Sequence, residues 1–386
     1  MRLPPLALLL PGLLSSSLAF TLVPPAAAAE MKSLVFIGTY TGGKSKGIYS
    51  CRFDSAAGKL SQPVLAVATR NPSFLVVHPN GQWLFAVSEV SEFDGARSGA
   101  VEAFQIDKES GRLTLLNAQP SGGTGPCHLA LDGSGRCLLV ANYNSGSLAA
   151  FPVQADGRLG KQSASIQHRG SSANPERQEG PHAHFIRPDP ANRFALACDL
   201  GLDKVFVYKL DPDRALLSPH QPPYILIKPG SGPRHLVFAP NGHRVYVINE
   251  MGSSLTALEY LPEQGALKEL QTISALPREF HGQNTCAEVQ IHPSGKLLFA
   301  SNRGHNSIAI YRIGQSSGRL TYLGAEDSGG KTPRHFVLDP AGQWLIAENQ
   351  DSDNLVVFRV DAKAGKLVPT GESVGLGAPV CAAFMP

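Results

Sequence analysis

The chain lacks the apolar spacing of three and four residues that marks an amphipathic helix, which excludes a helical bundle or helical repeat array. It also lacks charge of one dominant sign. Its 34 Lys and Arg stand against 31 Asp and Glu, and the net charge of +3 is well mixed. That balance offers no basic stripe for nucleic acid and nothing that selects an acidic partner. Its six cysteines include no pair at metal-ligand spacing, so no metal and no other cofactor is expected. What the chain has in quantity is turn residues, 39 glycines and 30 prolines.

Those turn residues keep a register. A turn residue, a strand-like run and a second turn residue seven positions on recur along the chain. The phrase opens at Pro72, Pro126, Pro181, Pro233, Cys286, Pro333 and Pro379, at intervals of 46 to 55 residues. It closes at Pro79, Gly133, Pro188, Pro240, Pro293, Pro340 and Pro386. A period of this length signals a solenoid, propeller or array. In the unit opening at Pro233, His235 to Phe238 reads as a strand, Pro240-Asn241-Gly242-His243 as a turn and Arg244 to Ile248 as the returning strand. Leu255 to Tyr260 and Leu267 to Ile273 supply two more. Four short strands per repeat predict a propeller blade, whereas a leucine-rich solenoid would need a shorter period.

The last copy stops after one strand, Cys381 to Met385, while Ser33 to Thr39 parallels a second strand, Arg136 to Asn142, of another unit. The C-terminal strand is therefore expected to join the N-terminal strands in one blade. The result is an all-β, seven-bladed β-propeller closed on itself. With no obvious free edge, a monomer is expected.

Residues 1–29 fall outside the repeat. Arg2, an apolar stretch from Leu6 to Leu14, a serine-rich patch and the alanines at 26–29 have the layout of a secretory signal. We expect a signal peptide over 1–29 and a propeller domain over 30–386. The protein would be exported, to a periplasm, with no stable membrane insertion after signal removal; a retained anchor is the alternative. No cysteine follows the apolar run, which argues against a lipoprotein. Export invites disulfides, but Cys137 and Cys198 fall mid-strand in different blades, and Cys127, Cys286 and Cys381 enter strands of three separate blades. Free buried thiols are expected.

Connectivity decides which side chains meet. The start of each innermost strand and the end of the second share one face of the disc, and the Pro-x-Gly hairpins lie on the other. Entries on the shared face include Cys127-His128, His182-Ala183-His184, Arg234-His235, Ala287-Glu288 and Arg334-His335. Exits include Thr39-Tyr40, Ser88-Glu89, Asn142-Tyr143, Asn249-Glu250 and Asn302-Arg303. Histidine, arginine and carboxylate thus gather at one mouth of the central channel, the place to look for chemistry. Among these, His128, Asn142, His184, Asn302 and Arg334 are candidates for substrate contact. The asparagines also suit turn caps, and Arg334 and His335 suit ties between blades. His184 stands where other blades hold Leu75, Leu129, Leu236 and Phe336, and a ring there needs a polar partner. The polar stretch from His168 to Gly180 is expected to fold over this mouth.

The run Asn174-Pro175-Glu176-Arg177-Gln178-Glu179-Gly180-Pro181-His182-Ala183-His184, followed by Asp199-Leu200-Gly201-Leu202-Asp203, resembles the signature of the seven-bladed propeller lactonase family. Gly232 to Phe238, Asn249-Glu250, Ser301 to Gly304 and Thr332-Pro333-Arg334 match further motifs, so the resemblance spans Ser33 to Pro386. That family includes bacterial 6-phosphogluconolactonases of the propeller type and fungal carboxymuconate cyclases. Two departures stand out: Ala287-Glu288-Val289-Gln290 replaces a common Asp-Ile-His run, and His335 stands where many members have aspartate.

The resemblance implies a catalytic set of His182, Arg234, Glu250 and Arg303. His182 would be the general base, Glu250 would orient it, one arginine would hold the oxyanion, and the other, with Arg334, would bind a phosphate or carboxylate. The expected reaction is metal-independent hydrolysis of a small-molecule lactone, 6-phosphogluconolactone or a related aldonolactone. Export counts against a phosphorylated substrate. The alternatives are a non-catalytic propeller that binds a protein or glycan, and a muconate-type cycloisomerase.

Overall fold

Each recurring phrase forms an innermost strand because its apolar run is bracketed by residues that turn readily and do not extend a helix. The computed structural model describes residues 1–5 and 32–386. The expected signal peptide, beyond its first five residues, and its cleavage point near Ala29 lie outside the described residues. The inner strands are Leu75–Val77, Pro126–Leu131, Ala183–Pro188, Pro233–Phe238, Thr285–Ile291, Pro333–Leu338 and Pro379–Phe384. We number the blades 1 to 7 in that order. Blades 1 to 6 are four-stranded antiparallel sheets. In blade 7, Pro379–Phe384 pairs with Lys32–Thr39, with Cys381 opposite Gly38 and Phe384 opposite Val35. The split repeat closes the ring as expected.

Packing follows the ring. Among the described residues, seven apolar clusters are present, each spanning two neighbouring blades. One joins Phe85 and Val101 to Val140 and Phe151 across blades 1 and 2. Another joins Ile346 and Val357 to Val35 and Phe53 across the closing seam. A blade is thus stabilised by its neighbours, and the two chain ends must meet for the last junction to form. The outermost strands tolerate proline because their free edge needs no donor. Leu216–Leu226 carries Pro219, Pro222 and Pro223, and Pro63 separates Lys59–Leu60 from Val64–Ala68 at the rim of blade 7. All six cysteines are free and buried.

One irregularity positions the site. At the start of the inner strand the pairing register shifts, so that one residue is left without a partner on the second strand. The skipped residues are Cys127, His184, Arg234, Arg334 and Val380, and in blade 5 both Ala287 and Glu288 are skipped. A bulge of this kind turns its side chain out of the sheet. In blades 2, 3, 4, 6 and 7 the next residue returns to the ladder and faces the channel one layer deeper; in blade 5 Glu288 takes that place while still unpaired.

Candidate active site

Two rings of side chains define a chamber of about 330 Å³ on the loop face of the disc. The bulges contribute Cys127, His184 and Arg334, and the second-strand exits contribute Glu89, Tyr143, Glu250 and Arg303; Arg177 and Thr285 complete the lining. Arg177 comes from the polar segment before blade 3, which does reach the mouth. Beneath the chamber the channel narrows to about 10 Å³ between Phe74, Arg234, His235, Arg334 and His335. A second cavity of about 490 Å³ lies beyond that constriction and reaches the hairpin residues Pro79, Asp132 and Gly133.

Glu250 is the electrostatic centre. Its Oε1 accepts from Arg177 at 2.8 Å, and its Oε2 lies 3.1 Å from Arg234 Nε and 2.9 Å from Arg303 Nη2. Burial alone would raise its carboxyl. Arg303 and Arg234, with the Arg177 hydrogen bond, more than offset that and hold it well below the usual carboxylate range. Burial, together with Arg303 and Arg334, lowers Arg234 to about 10. A second pair stands across the chamber. Arg334 donates to Tyr40 Oη at 2.9 Å, and Tyr40 donates to Glu89 at 2.8 Å. Ser73 also bonds Glu89. Burial pushes the Tyr40 hydroxyl far up, so it stays a neutral donor. Four guanidiniums therefore surround two carboxylates, and the chamber keeps an excess of positive charge.

The expected site residues divide. Glu250, Arg303, His184 and Arg334 line the chamber, and Arg234 sits directly below it. His184 is buried, and burial followed by Arg234 depresses its basicity, so it is a neutral imidazole. His182 does not line the chamber. It stacks on Tyr143 at 4.5 Å, its Nδ1 lies 3.1 Å from the Tyr143 carbonyl, and its Nε2 lies 3.4 Å from Glu179. Glu250 therefore does not orient His182, because its two oxygens are taken by arginines; Glu179 is the carboxylate beside that ring.

Three substrate-contact candidates lie elsewhere. Asn142 and Asn302 are wholly buried. Asn142 donates to Ser121 O and Ser147 Oγ, and Asn302 donates to Ala275 O and Ser307 Oγ. Strand alternation explains this: the next residues, Tyr143 and Arg303, face the mouth, so the asparagines face into the blade and cap its loops. His128 lies below the constriction, between Phe74 at 4.2 Å and Phe185 at 4.1 Å. Cys127 lines the chamber, but burial pushes its thiol far up, so it offers no thiolate nucleophile. Sequence reasoning missed Arg177, Tyr143 and Glu89 as site residues. The last two were visible as the second residue of each exit pair, and Arg177 lay in the segment expected to cover the mouth.

The ring of seven blades is closed, and its loop-face mouth is rich in arginine around the carboxylates of Glu250 and Glu89. Comparison with known proteins agrees. Residues 34–384 match the family model described as "Lactonase, 7-bladed beta-propeller", and the chain belongs to that family. It is 38% identical over 306 residues to a 6-phosphogluconolactonase of Bacillus subtilis, covering 79% of this chain and 85% of that protein. A 6-phosphogluconolactonase of Formosa agariphila is 37% identical, covering 78% and 85% respectively. The solved structure of a periplasmic gluconolactonase of Pseudomonas aeruginosa superposes with a TM-score of 0.87 at 33% identity, covering 92% of this chain and 99% of that one.

Proposed function

We propose that the protein hydrolyses a sugar lactone in the loop-face chamber, opening 6-phosphogluconolactone or a related aldonolactone to the acid without a metal. The observation that carries this reading is Arg177, Arg234 and Arg303 gathered on the single carboxylate of Glu250, with Arg334 opposite. Such a cluster suits an anion that develops at a carbonyl oxygen and a second anionic group on the substrate. The family match and the names of the relatives support the same reaction class.

In the proposed step, water attacks the lactone carbonyl carbon and gives its proton to an imidazole. Negative charge builds on the carbonyl oxygen, facing Arg303 and the free edge of Arg234. The ring C–O bond then breaks, and the leaving alkoxide takes the proton back from the imidazole. Two rings compete for that role. His182 has its Nδ1 set against a backbone carbonyl, which leaves Nε2 to accept a proton. His184 lines the chamber itself. Arg334 and Arg177 anchor the phosphate, carboxylate or hydroxyl end. We also propose export to a periplasm, on the apolar leader and the periplasmic relative.

The test is a rate assay on the purified protein with glucono-δ-lactone, 6-phosphogluconolactone and a muconate. Hydrolysis of a lactone above its spontaneous rate, lost in Arg303→Gln, is expected. Binding without turnover of any of them would favour the non-catalytic reading. Ring closure of the muconate alone would favour the cycloisomerase.

A further inference from the structure

Seven side chains form the floor between the two cavities: Phe74 in blade 1 and, in blades 2 to 7, the residue after the first skipped one, namely His128, Phe185, His235, Glu288, His335 and Cys381. Aromatic contacts bind one arc of this ring, with His128 wedged between the two phenylalanines and Phe185 lying 5.1 Å from His235. The arc beneath Arg234 is built of different chemistry. Arg234 Nη1 lies 3.3 Å from His235 Nε2, His235 Nδ1 lies 2.8 Å from Glu288, and Glu288 lies 3.8 Å from His335 Nε2. His335 Nδ1 lies 2.7 Å from Glu348, which stands behind the ring. All four of His235, Glu288, His335 and Glu348 are buried, at 7% exposure or less.

An apolar floor would seal the channel at less cost, since buried charge is unfavourable unless paired. Phenylalanine occupies this same position in blades 1 and 3, so the site accepts one. Among the described residues, no group of three or more His, Cys, Asp or Glu is disposed to hold a metal ion, so the cluster does not read as a ligand set. The hydrogen bonds fix a direction instead. Arginine only donates, so His235 Nε2 must accept, its proton must sit on Nδ1, and Glu288 must accept from it. Arg234 then has Nε on Glu250 and Nη1 on both Ala287 O, at 2.7 Å, and His235. Among the described residues, Nη2 has no hydrogen-bond partner.

We propose that His235, Glu288, His335 and Glu348 form a buried relay that positions Arg234, with His235 fixing the guanidinium plane so that Nη2 alone is presented to the reacting oxyanion. This rests on the hydrolase reading above. His235 is a positioning residue that acts through Arg234. His335 completes the relay between Glu288 and Glu348: burial would weaken it as a base, but the two carboxyl groups beside it raise it.

The test compares His235→Phe, His235→Gln and Glu288→Gln for the lactone that the wild type turns over. Losing the hydrogen bond on Arg234 in His235→Phe, or the carboxylate charge that holds the His235 proton on Nδ1 in Glu288→Gln, should lower kcat about ten- to a hundredfold, with KM little changed. His235→Gln should recover much of kcat, because its amide oxygen can replace Nε2 as acceptor. Wild-type kcat in folded His235→Phe, or equal losses in the Phe and Gln variants, would overturn the relay. Should His235→Phe fail to fold, the isosteric Glu288→Gln carries the test. Rotation of the Arg234 guanidinium, read by ¹⁵N NMR, reports the same restraint without turnover. It should be slow in the wild type and fast in Glu288→Gln; equal rates would overturn the proposal. Absent lactone hydrolysis with this restraint intact would count against the hydrolase reading alone.

Discussion

Replacing Glu250 with glutamine keeps the side chain's shape and removes one negative charge, so it tests the electrostatic account without opening a cavity. Three guanidiniums converge on this carboxylate, and Arg234 among them has a side chain only 3% exposed. Breaking a buried ion pair by deleting one partner typically costs about 3–5 kcal/mol, because the other charge stays buried and uncompensated. Two features place Glu250→Gln near the lower end. Arg234 keeps Ala287 O and His235 as acceptors, and Arg177 is 42% exposed and can turn to water. We expect a loss of about 3 kcal/mol in urea unfolding. Sulfate should restore part of it by entering the chamber as a surrogate anion, and lactone hydrolysis should fall in parallel. A Glu250→Gln protein within about 0.5 kcal/mol of wild type, the range of an ordinary surface substitution, would refute the reasoning.

The same carboxylate makes a pH prediction. Its folded pKa is depressed, so its contribution is complete above the unfolded carboxyl value and is lost as pH falls toward the folded one. The stability gap between wild type and Glu250→Gln should stay level above about pH 4.3 and shrink below it; a gap that widens in acid would reverse the sign of the argument. Arg177→Ala should leave the melting temperature unchanged and raise KM about tenfold, since that side chain comes from a covering segment outside the blades. An unchanged KM would remove Arg177 from substrate binding. Glutamine variants of His182 and His184 should separate the two candidate bases, because only loss of the true base should abolish the pH-dependent limb of kcat.

The ring was legible because its signals repeat. Seven phrases gave the number of blades, and the truncated last copy gave the closing blade and the strand that completes it. The third was expected two residues early, since its strand starts at Ala183 and His184 is equivalent to Cys127 and Arg234, not to Leu129 and Leu236. The face that carries the chamber followed from connectivity alone, and Glu250, Arg303, His184 and Arg334 line that chamber. The finer geometry was not legible, because it depends on which way single residues turn. A one-residue bulge sends Cys127, His184, Arg234 and Arg334 out of the sheet, while the next residues, His128, Phe185, His235 and His335, face a deeper layer. Strand alternation then takes Asn142 and Asn302 into the blades, one residue away from Tyr143 and Arg303. Arg177 escaped for a different reason: it lies in a segment with no counterpart in other blades, so no periodicity marks where its side chain ends. The departures Glu288 and His335, separated in sequence, turn out to be neighbours in space beneath Arg234.

The account stands on one location, the chamber above the floor ring, as the place where a lactone is opened. A crystal structure with the product acid, gluconate or its 6-phosphate, reads that location directly. The account predicts its carboxylate against Arg303 and the edge of Arg234, and its far end toward Arg334 and Arg177. Product bound only in the hairpin-side cavity, toward Pro79, Asp132 and Gly133, with the upper chamber empty at saturation, would contradict it.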